Sequence, residues 1–187
     1  MLYNDDVNKY NSTIKGNIDA WYEMNMLSYD EYLEDTIFCN DRSTPTSGSN
    51  TLAQSGWNPN GGALNKYLYF KEGNSSTTDL SCTNETDKFS VGNNKAKLTY
   101  KIGLMSNPEM NLLNNNSART TGQYYWLASP SYFYRYNAGA RIVSASGGLY
   151  NYYVNNNSNG ARPAVSLATG TEYSEGDGSM ARPFIVN

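Results

Sequence analysis

The chain has 187 residues, a formal net charge of −3 and no histidine, and this length favours one domain over residues 1–187 with a substantial core. Without histidine, Ser-His and Cys-His nucleophiles and most zinc sites are excluded, so we expect no enzymatic activity, no catalytic residues, no metal and no cofactor. Nine residues among positions 1–43 are acidic and three are basic, whereas a nucleic acid requires a basic face, so nucleic acid is not an expected partner.

The first 43 residues are predicted to form a helical N-terminal part. Apolar residues recur at spacings of three and four, which predicts a helix from about residue 5 to residue 26. Ser28 followed by Glu31 has the pattern of a capping box, so a second helix is expected over about residues 29–38. The acidic residues of both helices are expected to face solvent.

The middle of the chain alternates between loops and short elements. The Ser, Thr, Pro, Gly and Asn content of residues 43–65 and 74–85 predicts loops. Apolar side chains at every second position of residues 97–104 predict a strand. The sequence of residues 107–109, Asn-Pro-Glu, is typical of a helix start and predicts a short helix that ends near Leu113.

Beyond Gly122 the pattern is that of strands and turns. The predicted strands are residues 124–128, 140–145, 149–154, 161–167 and a closing strand within 174–187. The second and third of these are predicted to be the arms of a hairpin, because Ser146-Gly147-Gly148 is a turn sequence.

Residues 124–166 have the composition of a recognition surface. They contain eight Tyr and six Asn among Ser, Gly, Ala, Arg and Phe, and such mixtures give rigid aromatic contacts with adaptable hydrogen bonding. Residues 110–171 contain no Asp, Glu, Lys or His, so this region lacks most groups that transfer protons. Two alternatives remain open: a low-complexity segment without a folded role, and an ordinary tyrosine-rich β surface.

Carboxylate pairs at Glu34-Asp35 and around Asp177 do not predict a site. Adjacent acids on a helix point to different sides, and the Asp177 segment lacks the repeated oxygen ligands of an EF-hand loop. We therefore expect neither acid/base chemistry nor calcium binding from them.

Cysteine number and apolar runs indicate the compartment. Cys39 and Cys82 suffice for one disulfide, and the abundance of Asn, Tyr, Ser and Gly suits an extracellular protein; two unrelated buried thiols are the alternative. No apolar run approaches the roughly 20 residues of a membrane span, so direct membrane insertion is not expected. Residues 1–20 lack the features of a signal peptide. We expect an extracellular, cell-surface or virion-surface protein whose export signal or anchor lies outside this sequence.

Three motifs in the C-terminal half carry a resemblance to a known family. They are Tyr125-Trp126-Leu127-Ala128-Ser129-Pro130, Ala140-Arg141-Ile142-Val143 and Asn159-Gly160-Ala161-Arg162-Pro163-Ala164-Val165-Ser166-Leu167. With the Gly-Gly hairpin between them, this half resembles the variable proteins of diversity-generating retroelements, whose C-type lectin fold is related to that of formylglycine-generating enzymes. Members of the family often end soon after the variable segment, whereas here 20 residues follow Leu167.

The resemblance implies a fold and a variable region. The implied fold is α+β and C-type-lectin-like, with two N-terminal helices packed on a small twisted antiparallel sheet with long loops. In the family, a reverse transcriptase misreads adenine in a template RNA, so that Asn codons become codons for other residues. The implied variable region is residues 124–167, and its partner would be a protein or cell-surface ligand bound without covalent chemistry.

The resemblance also implies a set of ligand-binding residues on one face. They are Ser131, Tyr132, Phe133, Tyr134, Arg135, Tyr136, Asn137, Tyr150, Asn151, Tyr152, Tyr153, Asn155 and Asn157. Leu149, Val154 and Pro163 are expected to be scaffold. Arg141 and Arg162 flank the framework motifs and are expected to make structural hydrogen bonds.

Two other functions remain open. One is an invariant adhesin of a bacterial surface or pilus tip, a class of protein with similar segments. The other is an enzyme of the formylglycine-generating type, which needs catalytic cysteines near its C-terminal region, where neither Cys39 nor Cys82 lies.

Overall fold

The computed structural model describes residues 11–45, 67–73, 76–113, 116–134, 137–177, 179 and 181–186. The helices are α1 (Thr13–Asn25), α2 (Asn107–Leu112) and α3 (Asn116–Arg119). The strands are β1 (Leu33–Glu34), β2 (Phe38–Cys39), β3 (Tyr67–Tyr69), β4 (Lys88–Phe89), β5 (Gly103–Leu104), β6 (Tyr125–Tyr134), β7 (Asn137–Val143), β8 (Leu149–Tyr153), β9 (Gly160–Ala161), β10 (Pro163–Ala164), β11 (Ser166–Leu167), β12 (Tyr173–Glu175) and β13 (Ile185–Val186). The described part of the chain is therefore mixed α+β, as predicted.

A curled five-stranded sheet is the centre of the fold. Strands β3, β6, β7 and β8 lie side by side and antiparallel in that order, and β9 pairs with β6 in parallel. The β7–β8 hairpin agrees with the predicted arms, and Gly147 adopts a φ of 85° in its turn, a conformation that glycine reaches without steric cost. The remaining strands form two-stranded pairs around this sheet.

Helix α2 packs on one face of the sheet and encloses one of two apolar clusters. Met110 of α2 contacts Tyr125, Leu127 and Val143, all of them buried. The predicted helix is present, and its start lies one residue from the predicted one. Ser106 is the N-cap and forms a capping box with Glu109.

Helix α1 begins later than predicted. Ser12 is its N-cap and accepts a hydrogen bond from the Lys15 backbone N–H, so residues 11 and 12 are not helical; the predicted residues 5–10 lie outside the described ranges. Ile18 and Tyr22 face inward and pack with Leu33 and Ile102. The apolar spacing thus identified the buried face correctly.

The predicted second helix over residues 29–38 is wrong. A 3₁₀ helix covers Leu27–Tyr32, and its N-cap Met26 makes no side-chain capping bond. The chain then extends, and β1 pairs with β11. Leu33 is 4% exposed at that point, so burial and strand pairing outweigh the local helix preference of one capping box.

Two predicted strands are also replaced by shorter pieces. Of residues 97–104 only β5 is a strand, although Leu98 and Ile102 are buried. Residues 161–167 divide among β9, β10 and β11, which pair with β6, β5 and β1 respectively. This segment therefore bridges three parts of the fold, which a single strand with one register cannot do.

Three further outcomes complete the comparison with the predicted elements. Strand β3 lies where the pattern predicts no element, and β12 pairs locally with β13 in place of one closing strand. Residues 76–84 contain no helix or strand, as predicted. Of the predicted loop over residues 43–65, only residues 43–45 lie within the described ranges.

A disulfide joins Cys39 of β2 to Cys82, with 6.0 Å between the two Cα atoms. Strand β2 pairs with β4, so the bond ties the loop that contains Cys82 to this strand pair. The bond closes a loop over a sequence separation of 43 residues.

We expect the disulfide to stabilise the fold. In the chain-entropy model a closed loop of this length contributes about 4 kcal/mol, so the Cys39→Ser, Cys82→Ser double variant should lose about that much free energy of unfolding in a denaturant titration. Unfolded, unreduced protein from an oxidising compartment should show no titratable thiol, and two thiols per chain would contradict the bond.

Candidate ligand-binding surface

The hairpin β7–β8 distributes the predicted binding residues over both faces of the sheet. Its register pairs Ile142 with Tyr150, Ala140 with Tyr152 and Gly139 with Tyr153. Because successive residues of a strand point to opposite faces, Tyr150 and Tyr152 share one face while Asn151 and Tyr153 share the other. The prediction of one continuous binding face is therefore wrong for β8.

The three tyrosines of β8 are the most exposed aromatic residues of the hairpin. Tyr150 is 58% exposed, Tyr152 45% and Tyr153 39%. Ile142, the cross-strand neighbour of Tyr150, is 1% exposed, so this exposed ring lies beside a buried residue of the sheet. These side chains meet the requirement for residues that can change without altering the core.

Tyr132 has a structural role that the sequence did not indicate. Its ring lies over Gly139, where an added Cβ would come within 2.8 Å of the ring. The ring centroid is 6.1 Å from that of Tyr153 and 6.4 Å from that of Tyr69. The four residues form a row across β3, β6, β7 and β8, and an aromatic side chain over a cross-strand glycine stabilises a sheet.

A polar network joins the buried Ser131 and Arg141 to the exposed Asn151. Ser131 is 1% exposed, and its Oγ donates to Asn151 Oδ1 at 2.8 Å. The same oxygen accepts from Arg141 Nη1 at 2.6 Å. Arg141 is 2% exposed and its Nε donates to Asn107 Oδ1 at 3.0 Å. The prediction that Ser131 offers its side chain to a ligand is therefore wrong, because that side chain is buried. Asn151 is exposed, although its amide oxygen already accepts from Ser131 and Arg141.

The network continues to Glu72, which the sequence analysis missed. The Ser129 hydroxyl donates to a Glu72 carboxylate oxygen, and Asn107 Nδ2 donates to the Glu72 carbonyl at 3.1 Å. Glu72 is 3% exposed. Burial, with smaller contributions from nearby Asp41 and Glu109, raises its pKa to about 7 against the opposing hydrogen bond from Ser129. No sequence pattern marks Glu72, because its environment is assembled from distant segments.

Arg141 carries a buried charge. Burial lowers its pKa to about 10, so the side chain stays protonated at neutral pH. Its Nη2 has no hydrogen-bond partner in the described part of the chain. The hydrogen bonds of Arg141 to Asn107 and Asn151 confirm its expected structural role. Arg162 likewise donates to the Ala118 carbonyl at 3.0 Å.

The remaining predicted residues differ in accessibility. Phe133 and Asn137 are half-buried, whereas Asn155 and Asn157 are exposed. Arg135 and Tyr136 lie outside the described residues, as does the side chain of Tyr134. Among the expected scaffold residues Leu149 and Pro163 are half-buried, but Val154 is 55% exposed, so its scaffold assignment is wrong.

The described residues contain no group of three or more His, Cys, Asp or Glu side chains arranged to hold a metal ion. Within the same residues, no helix has the length and apolar character needed to cross a membrane. Comparison of the chain with protein-family models, curated proteins and solved structures finds no match. Any functional proposal for this chain therefore has to be argued from the geometry of the described residues.

The raised pKa of Glu72 predicts pH-dependent stability. An unperturbed Glu has a pKa of 4.5, so the folded protein binds this proton more tightly than the unfolded chain. The stabilising contribution is complete below pH 4.5 and is lost as pH rises to about 7. At about 1.4 kcal/mol per pKa unit the loss is about 3 kcal/mol.

The variant Glu72→Gln should remove this dependence, because an amide oxygen still accepts from Ser129 but does not ionise. Relative to wild type, its melting temperature should be higher at about pH 8 than at about pH 5. Glu85→Gln is the matched control, since Lys88 keeps the pKa of that exposed carboxyl below its usual value. Equal shifts for the two variants would contradict the burial account.

Proposed function

We propose that the chain is a ligand-binding protein of C-type-lectin type whose β7–β8 surface is diversified by a retroelement and recognises a protein or cell-surface target. The observation that carries this function is the contrast along the hairpin. Tyr150 and Tyr152 are exposed, while Ile142 and Val143 on the neighbouring strand are at most 1% exposed. Side chains at the first pair of positions can change while the second pair maintains the sheet.

The chemistry of the surface suits non-covalent recognition. Tyrosine combines a large apolar ring with a hydroxyl and loses few rotamers on binding, so it is favoured at energetic hot spots. Residues 142–161 contain no charged side chain. We therefore propose that contact area and hydrogen bonds, with little contribution from charge, determine the affinity.

The internal hydrogen bonds narrow the set of positions open to diversification. The codon of Asn151 contains adenine, as every Asn codon does, so mutagenesis would reach it. Replacement of Asn151 would leave Ser131 and the buried guanidinium of Arg141 without their shared acceptor, and an unsatisfied buried charge is costly. We infer that functional sister proteins keep Asn at this position while Tyr150 and Tyr152 vary.

An invariant surface or pilus-tip adhesin is the second candidate. The observation that favours it is that Ser131, Tyr132 and Asn151 all make side-chain contacts within the protein, which is expected of a surface that does not vary. A formylglycine-generating-type enzyme is disfavoured, because both cysteines of the chain are bonded to each other and that chemistry requires thiols.

The nucleotide sequence tests the diversification. A near-copy of the segment encoding residues 124–167 should lie close to a reverse-transcriptase gene. Differences should occur where the copy has adenine, with Asn codons opposite Tyr150, Tyr152 and Tyr153, while the Trp126 codon is unchanged. The reason is that exposed aromatics tolerate replacement and buried ones do not. Absence of a copy, or differences spread over all four bases, would favour the adhesin.

Paired variants test whether the surface is separable from the core. Replacing Tyr150 and Tyr152 by Ser should change the free energy of unfolding by no more than about 0.5 kcal/mol each. Trp126→Ala should cost about 3 to 5 kcal/mol, because this side chain is 5% exposed. Denaturant titrations provide both values. A loss in the tyrosine variant as large as in the tryptophan variant would place these rings in the core.

A further inference from the structure

We propose, building on the binding role given above to this surface, that the ligand is an extended, uncharged peptide segment that pairs with the outer edge of β8 as an additional strand. Among the described strands, β8 is the last of the sheet on its side. The edge of a sheet presents backbone donors and acceptors that another extended chain can satisfy.

The hydrogen bonds that flank β8 define which of its backbone groups face outward. At one end Val154 N–H donates to the Ala138 carbonyl, and at the other end Ser144 N–H donates to the Gly148 carbonyl. Hydrogen-bonded pairs alternate along an antiparallel ladder, so Tyr150 and Tyr152 also direct their backbone groups to β7. The N–H and C=O groups of Leu149, Asn151 and Tyr153 consequently point away from the sheet.

These outward groups are open. Among the described residues, the backbone N–H and C=O of Leu149 and Asn151 have no partner, and neither has the Tyr153 N–H. The Tyr153 carbonyl accepts from Asn156 N–H at 3.1 Å, which ends the open edge. The outward backbone groups are thus two complete donor–acceptor sets and one further donor, spaced two residues apart along β8. A short extended peptide has donors and acceptors at the same spacing and can pair with them.

The edge lacks the features that protect other edge strands. Natural sheets place Lys, Pro, other charged residues or bulges on exposed edges to prevent pairing. Strand β8 has the sequence Leu-Tyr-Asn-Tyr-Tyr, with no charge and no proline, and its register with β7 is continuous from Leu149 to Tyr153. An unprotected edge five residues long indicates that pairing is its use.

The surrounding side chains specify the chemistry of the peptide. Tyr150 and Tyr152 flank the edge on one face, and Tyr153 with Tyr132 flanks it on the other. Alternate side chains of an added strand would therefore contact aromatic rings on both faces. No charge within residues 142–161 is available to pair with a charged peptide, so an uncharged segment is favoured.

Pairing through the backbone also separates affinity from specificity. Main-chain hydrogen bonds do not depend on which side chains β8 carries, whereas the rings determine which peptide side chains fit. Sister proteins that differ at Tyr150 and Tyr152 would keep the same anchor. Asn151 has both functions, because its side chain binds Arg141 while its backbone faces the ligand.

The test uses peptides selected from a display library of random linear dodecapeptides, with the folded protein as bait. Selected peptides are synthesised, and each backbone amide in turn is N-methylated, which removes one donor. Methylation at alternate positions should weaken binding about tenfold, equivalent to one lost hydrogen bond, while the positions between should change it by less than about twofold. Calorimetry provides the dissociation constants.

A matched pair of protein variants tests the same edge from the other side. Tyr153→Ala and Tyr153→Pro both remove the phenol ring, but only proline removes the outward N–H, and proline is tolerated on an edge strand where its nitrogen faces outward. Tyr153→Pro should bind the selected peptides more weakly than Tyr153→Ala. If Tyr153→Pro does not fold, the N-methyl series decides, since it leaves the protein unchanged.

Three outcomes would overturn the inference: no linear peptide is enriched, N-methylation has no alternating effect, or sedimentation shows a dimer that dissociates in the Tyr153→Pro variant, as expected if β8 already pairs with β8 of a second copy. Either of the first two outcomes would mean that the surface recognises its ligand through side chains alone. Failure of the proposed diversification is a separate result, because it depends on the template copy in the DNA and not on peptide binding.

Discussion

The burial of Arg141 is the constraint on which the arrangement of the sheet depends. A guanidinium group removed from water must find acceptors, and here they come from Asn107 of α2 and Asn151 of β8. One side chain on the central strand β7 thereby joins the helix that covers the sheet to the strand at its edge. The position of β8, and with it the direction of its tyrosines, follows from these bonds.

The strand alternation then divides two roles between neighbouring residues. The side-chain oxygen of Asn151 accepts from Ser131 and Arg141, while Tyr150 and Tyr152 on the opposite face expose their rings to solvent. Tyr132 lies between these extremes, because its ring covers Gly139 and still meets Tyr153 at the surface. The buried side chains hold this surface rigid, while its exposed side chains can change. The rigidity lowers the entropy lost on binding.

The accuracy of the sequence predictions follows the range of the interactions that form each element. The β7–β8 hairpin and helix α2 were predicted because a Gly-Gly turn and an Asn-Pro-Glu helix start act within a few residues. The second N-terminal helix and the strand over residues 97–104 were wrong, because pairing with distant segments decides their structure. Of the predicted binding residues, Tyr150, Tyr152 and Tyr153 are exposed, whereas Ser131 is not. Burial of a small polar residue has no signature in composition.

The sequence by itself determined the mixed α+β class, the buried face of α1, the hairpin and the tyrosine-rich composition of the surface, since each depends on local spacing or residue type. Only the tertiary structure decided which tyrosines share a face, that Ser131, Glu72 and Arg141 are buried, and that Asn151 binds Arg141. These properties depend on strand register and on contacts between segments that are distant in the sequence, such as those of Asn107 with Arg141, 34 residues away, and of Glu72 with Ser129, 57 residues away. A one-residue change of register would reverse every facing while leaving the sequence pattern the same.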